Sequence, residues 1–202
     1  MSTLEWDPRL PAHEQLAAWC RLIDAPGVVH AIFGGAGSTG RVAWRRLEAW
    51  TRSRAVTLAE VRADLGPPAL DVALCSDLVY LRRGVELWPG AGEPGAGLVW
   101  SLGRAGRAAL ARGLLDPAPL PAAEAVAVGL AQRVLEPDEA VPLAAGGSLT
   151  ALTIARDLAR SSVRREGAGL RLELASFRLL FASGDPEEGA RAFLERRPPD
   201  FG

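Results

Sequence analysis

Residues Ala63 to Asp77 read ADLGPPALDVALCSD, and the rest of the chain is organised around them. An apolar strand-like run, Ala55 to Val61 (AVTLAEV), leads in. Leu65-Gly66-Pro67-Pro68 predicts a tight turn, and Ala69 to Ser76 a short apolar helix that ends at Asp77. Leu78-Val79-Tyr80-Leu81 reads as the next strand. Strand, turn, helix start and strand in succession is an arrangement that builds sites. The first turn of a helix offers free backbone N–H groups and the positive end of a dipole. Such a place can hold an oxygen that gains negative charge during a reaction.

The chain has 202 residues, of which 49% are apolar, enough to close one core with a C-terminal extension. Basic and acidic residues number 23 and 24, so no strong field toward nucleic acid or an anionic membrane is expected. Every basic residue is Arg, and a lysine Schiff base is excluded. Cys20 and Cys75 lie in apolar helical contexts, as buried thiols do in a reducing compartment. MSTLEWDPRL lacks an apolar core of signal-peptide length, and no run reaches transmembrane length. A cytoplasmic protein is expected.

Ala12 to Ile23 has helical spacing, with Leu16, Trp19, Cys20 and Ile23 on one face. Val28 to Phe33 (VVHAIF) reads as a buried strand, and Arg41 to Thr51 as a helix. Between them, Gly35-x-Gly37-x-x-Gly40 fits a dinucleotide-binding fingerprint in its immediate context. It equally fits a flexible strand-to-helix turn. A helix precedes the strand, and only Glu60 or Asp64 offers an acid for a ribose. His30 has no evident Cys or carboxylate partner and reads as a core residue. No Cys/His cluster has zinc spacing, and G-x-S-x-G is absent. Pro89 to Gly97 is a Pro/Gly-rich loop. Pro121 starts a helix stopped by Gly129, and Ala131 to Leu135 follows as a strand. From Leu143 onward the pattern is helical, with apolar faces that need covering by the core or a neighbouring subunit. The domain expectation is a core over residues 1–142 and a helical region over 143–202.

Several of these stretches resemble the enoyl-CoA hydratase/isomerase (crotonase) superfamily. Ala69 to Asp77 is similar to its signature helix, which follows a triple-glycine turn, carries a Glu and ends in Cys-Asp. Glu124-Ala125 with Gly129-Leu130-Ala131-Gln132-Arg133-Val134 looks like its E-A-x-x-x-G-L-V-x-x-V segment. Phe177 to Phe201 resembles its C-terminal end, and Pro94-Gly95-Ala96-Gly97 its P-G-x-G turn. The resemblance implies a spiral ββα α/β core with a helical C-terminal region. It also implies homo-trimers or hexamers, an acyl-CoA substrate held as an enolate by two backbone N–H groups, and proton transfer by one or two carboxylates. No separate cofactor is implied, since coenzyme A enters as part of the substrate.

The departures fall on the chemistry. The family's donor glycine aligns with Pro68, which has no N–H. The loop that supplies the family's other donor is absent after Phe33, and so is most of its N-terminal hairpin. The resemblance leaves Asp71 in the position of a catalytic Glu, with Glu93 or Glu86 as a second carboxylate. Gly66, Pro68, Ala69 and Leu70 form the substrate-binding turn, and Arg196 and Arg197 are candidates for a CoA phosphate. Asp71 also reads as a helix-start acid favoured by the dipole, and the arginine pair as a solvated helix end. Three readings stay open: an acyl-CoA hydratase/isomerase-type enzyme, a catalytically impaired subunit that supports another enzyme, and a dinucleotide-binding protein.

Overall fold

A computed structural model of the chain describes residues 2–25, 27–35, 42–89, 105, 116, 118–142, 156 and 185–197. Two compact units divide the chain, Met1–Ser162 and Val163–Gly202. Among the described residues the first unit contains β1 (Ser2–Trp6), α1 (Ala12–Leu22), β2 (Val28–Phe33), α2 (Trp44–Thr51) and β3 (Val56–Val61). It continues with α3 (Ala69–Leu74), β4 (Leu78–Arg82), β5 (Glu86–Leu87), β6 (Leu120–Pro121), α4 (Ala122–Ala127) and β7 (Arg133–Leu135). The second contains α5 (Asp185–Glu195).

Among the described residues, five strands form one parallel sheet in the order β1-β2-β3-β4-β7. Register follows the pleat: Ile32 sits beside Glu60, and Glu60 beside Tyr80. Side chains alternate between faces along each strand. One face therefore carries Val29, Ala31, Phe33, Ala59, Val61, Val79 and Leu81. These pack with Leu16 and Trp19 of α1, Leu47 and Trp50 of α2, and Leu70 and Ala73 of α3 as the main core. Trp19 links Trp6, Phe33 and Trp50, with ring centroids 5.4 to 5.9 Å away. The other face carries His30, Glu60 and Arg82, and a smaller cluster of Leu58, Tyr80 and Leu135.

Strand β1 is an element that the sequence reading missed by starting at Ala12. Its signal is short: Leu4 and Trp6 alternate with Thr3 and Glu5, and only Trp6 is buried. The helix read from Arg41 is described from Trp44. Gly129 has φ 82, the left-handed turn that only glycine adopts at low cost, and it ends α4 as the sequence suggested. Among the described residues no helix is long and apolar enough to cross a membrane.

Candidate active site

Parallel strands put their C-terminal ends on one edge, the edge where open α/β sheets take ligands. After β3 the chain runs along that edge from Arg62 to Pro68 and enters α3. A short ribbon pins this run. The Leu65 N–H donates to the Glu86 carbonyl at 3.0 Å, and the Leu65 carbonyl accepts from the Trp88 N–H at 2.9 Å. Asp64 Oδ1 accepts from the Glu86 N–H at 2.9 Å. The Pro67–Pro68 peptide bond is cis.

The start of α3 decides which donors remain. The Leu70 N–H donates to the Gly66 carbonyl at 3.0 Å, so Leu70 is used within the helix and Gly66 contributes its carbonyl to that bond. Pro68 has no N–H to give. The Ala69 N–H meets no acceptor among the described residues. Asp71 follows two residues later in the first turn, and only 8% of it is exposed. The structure thus brings one backbone donor and one carboxylate to the same helix end. Glu93, the second expected carboxylate, lies outside the described residues, as does most of the Gly35–Gly40 run.

Asp77 holds this unit together. Its Oδ2 accepts from the Thr57 N–H at 2.8 Å and the Thr57 hydroxyl at 3.0 Å, while its own N–H donates back to Thr57 Oγ1. The start of β3 is thereby tied to the end of α3. Trp50 Nε1 donates to Ser76 Oγ at 3.1 Å, which fixes α2 against the same helix end. Cys75 is buried in the core and forms no disulfide.

In the second unit, Arg196 and Arg197 close α5. Arg196 has φ 53, and the N–H groups of Arg196 and Arg197 donate to the carbonyls of Phe193 and Ala192. This is a Schellman-type end with arginine where glycine is usual. The Arg197 guanidinium contacts Glu188 at 2.6 and 3.0 Å and Glu195 at 2.6 Å. Those carboxylates raise its pKa and compete with any phosphate.

One charged group escaped the sequence reading. Glu60 is wholly buried, yet its carboxylate accepts from Arg62 Nε at 2.9 Å and Arg82 Nε at 2.8 Å, and His30 Nε2 lies 2.9 Å from its other oxygen. His30 therefore has a carboxylate beside it, contrary to the expectation of a partnerless core residue. Burial alone would raise the Glu60 pKa, but hydrogen bonds from Arg62 and Arg82 outweigh it and hold the group below its ordinary value. Burial lowers the His30 pKa, against the pull of Glu60. So engaged, Glu60 is not available to a ribose, and Asp64 is held by the ribbon. The visible signal was the pair Glu60 and Arg62, two residues apart and hence on one strand face. Among the described residues, no three His, Cys, Asp or Glu groups are placed to hold a metal ion.

Comparison with known proteins fits this architecture. An enoyl-CoA hydratase/isomerase from Pseudoalteromonas atlantica T6c superposes with a TM-score of 0.72 at 20% identity, over 99% of this chain and 95% of that one. An enoyl-CoA hydratase from Mycobacterium avium subsp. paratuberculosis K-10 gives 0.67 at 21% identity, over 95% and 89%. In sequence, a probable enoyl-CoA hydratase of Rhizobium meliloti (strain 1021) is 36% identical over 117 residues, 54% of this chain. The matching part spans 46% of that relative's length. No family model matches the sequence. The sheet order and the structural likeness define an α/β protein of crotonase-like fold. The likeness to the Rhizobium protein adds a sequence similarity over about half of this chain.

Proposed function

We propose that the chain binds an acyl-CoA thioester at the start of α3 and moves a proton next to its carbonyl. The observation that carries this is the unused Ala69 N–H beside the buried Asp71. Ala69 is the donor for the thioester oxygen, and Asp71 the general base for the proton on the adjacent carbon. Proton abstraction needs a base within hydrogen-bond reach and a stabilised oxyanion. One carboxylate favours enolisation, isomerisation or a related deprotonation over hydration, which needs a second group to activate water. The chain acts as a homo-oligomer, a trimer or a pair of trimers, in the cytoplasm.

Pro68 favours a second reading, a catalytically impaired subunit that supports a partner enzyme. Loss of one oxyanion donor costs on the order of 10²–10³ in rate. One experiment separates the two. The protein is incubated with acetyl-CoA or butyryl-CoA in heavy water, and exchange at the carbon next to the carbonyl is followed by NMR. Exchange that vanishes in Asp71→Asn, with CoA-ester binding retained by calorimetry, supports the enzyme reading. Exchange unchanged by Asp71→Asn shows that Asp71 is not the base. Binding without exchange favours the supporting subunit, and no binding sinks the acyl-CoA reading.

A further inference from the structure

Tryptophans Trp6, Trp19 and Trp50 are buried in the main core, and Trp44 is partly covered. Trp88 is different: 38% of it is exposed. Its place is fixed by the hydrogen bond from its N–H to the Leu65 carbonyl. Along Glu86-Leu87-Trp88 the side chains alternate. Leu87 turns inward with Leu65, at 1% and 0% exposure, which leaves Glu86 and Trp88 on the outward side. Gly66 shares that side by the same alternation, and its carbonyl takes the Leu70 N–H that begins α3. One hydrogen bond and one helical turn therefore separate Trp88 from Ala69.

An indole is a large, flat, apolar surface with few torsions to freeze, and it prefers to stack on other flat groups. We propose that Trp88 walls the acyl region of the site and selects CoA thioesters with a flat, uncharged acyl group, aromatic or conjugated. Glu86, on the same side of the ribbon, sets the charge part of that choice by repelling acyl groups that end in a carboxylate. The inference rests on the acyl-CoA reading above and adds the substrate class.

The test is a calorimetric comparison of phenylacetyl-CoA and butyryl-CoA on the full chain and on Trp88→Ala and Trp88→Phe, with thermal unfolding to check each variant's fold. The wild-type protein is expected to bind phenylacetyl-CoA about tenfold tighter than butyryl-CoA, the size of one good stacking contact. Trp88→Ala brings the ratio of the two dissociation constants to about one, and Trp88→Phe, which keeps a ring, restores part of it. A wild-type protein without preference, or a preference that survives in folded Trp88→Ala, overturns the assignment of Trp88 and leaves the acyl-CoA reading standing. A wild-type protein that binds neither thioester overturns both.

Discussion

Glu60 is an acid held where water does not reach, and the side chains around it determine its effect on stability. Arg82 is largely buried and contributes most of the compensation, because half-exposed Arg62 is screened by solvent. Removing one partner of a buried ion pair leaves a charge uncompensated. Glu60→Gln is therefore expected to lower stability by about 3 kcal/mol in urea unfolding. An unchanged midpoint would show that the network contributes nothing. His30 adds a pH dependence whose sign follows from burial. Its folded-state pKa lies below the ordinary 6.5, so on acidification the unfolded chain takes up this proton first. The stability it contributes is complete above 6.5 and is lost as pH falls through its folded pKa. The Glu60 pKa is also lowered, so its share persists above 4.5 and disappears only in stronger acid. Between pH 7 and 5 the wild-type protein is expected to lose stability more steeply than His30→Gln. Parallel profiles would remove His30 from the account.

At the scale of elements, the unit of β3, α3 and β4 is closed by Asp77, and α5 is closed by an arginine in a glycine's conformation. Asp77→Ala leaves the Thr57 N–H and hydroxyl without their acceptor in a partly buried place. A loss of about 1–3 kcal/mol is expected, and Thr57→Val, which removes the hydroxyl both as donor to Oδ2 and as acceptor of the Asp77 N–H, should lose stability in the same range. A Thr57→Val variant as stable as the wild type would show that the hydroxyl adds nothing to the lock. Arg196→Gly relieves a left-handed arginine and should stabilise the chain by about 1 kcal/mol, read as a rise in thermal midpoint. These two ends also show what was legible in the sequence. The run Ala69–Asp77, the strand Val28–Phe33 and the stop at Gly129 could be read because each rests on local chemistry: apolar periodicity, a proline turn and a glycine with positive φ. The Glu60 network could not be read, since His30, Glu60 and Arg82 meet only through strand register, which one chain segment does not reveal. The choice of Ala69 over Leu70 as donor depends on one hydrogen bond to Gly66, and the spacing of residues does not specify it.

At the scale of the molecule, the proposed oligomer meets a surface that asks for cover. Phe193 and Leu194, adjacent near the end of α5, are 82% and 80% exposed. Two neighbouring side chains of this kind leave roughly 300 Å² of apolar surface in water, which at about 25 cal/mol per Å² disfavours the free state by several kcal/mol. Burial between copies of the chain would remove that penalty. Sedimentation at micromolar concentration is expected to give a mass three or six times 21.3 kDa. Phe193→Ser with Leu194→Ser should shift the distribution toward the single chain, with the circular dichroism of the fold preserved. A wild-type protein that already sediments as a single chain contradicts the homo-oligomer. That result would turn the same exposed pair toward the partner enzyme of the second functional reading, because both assemblies compete for one apolar surface.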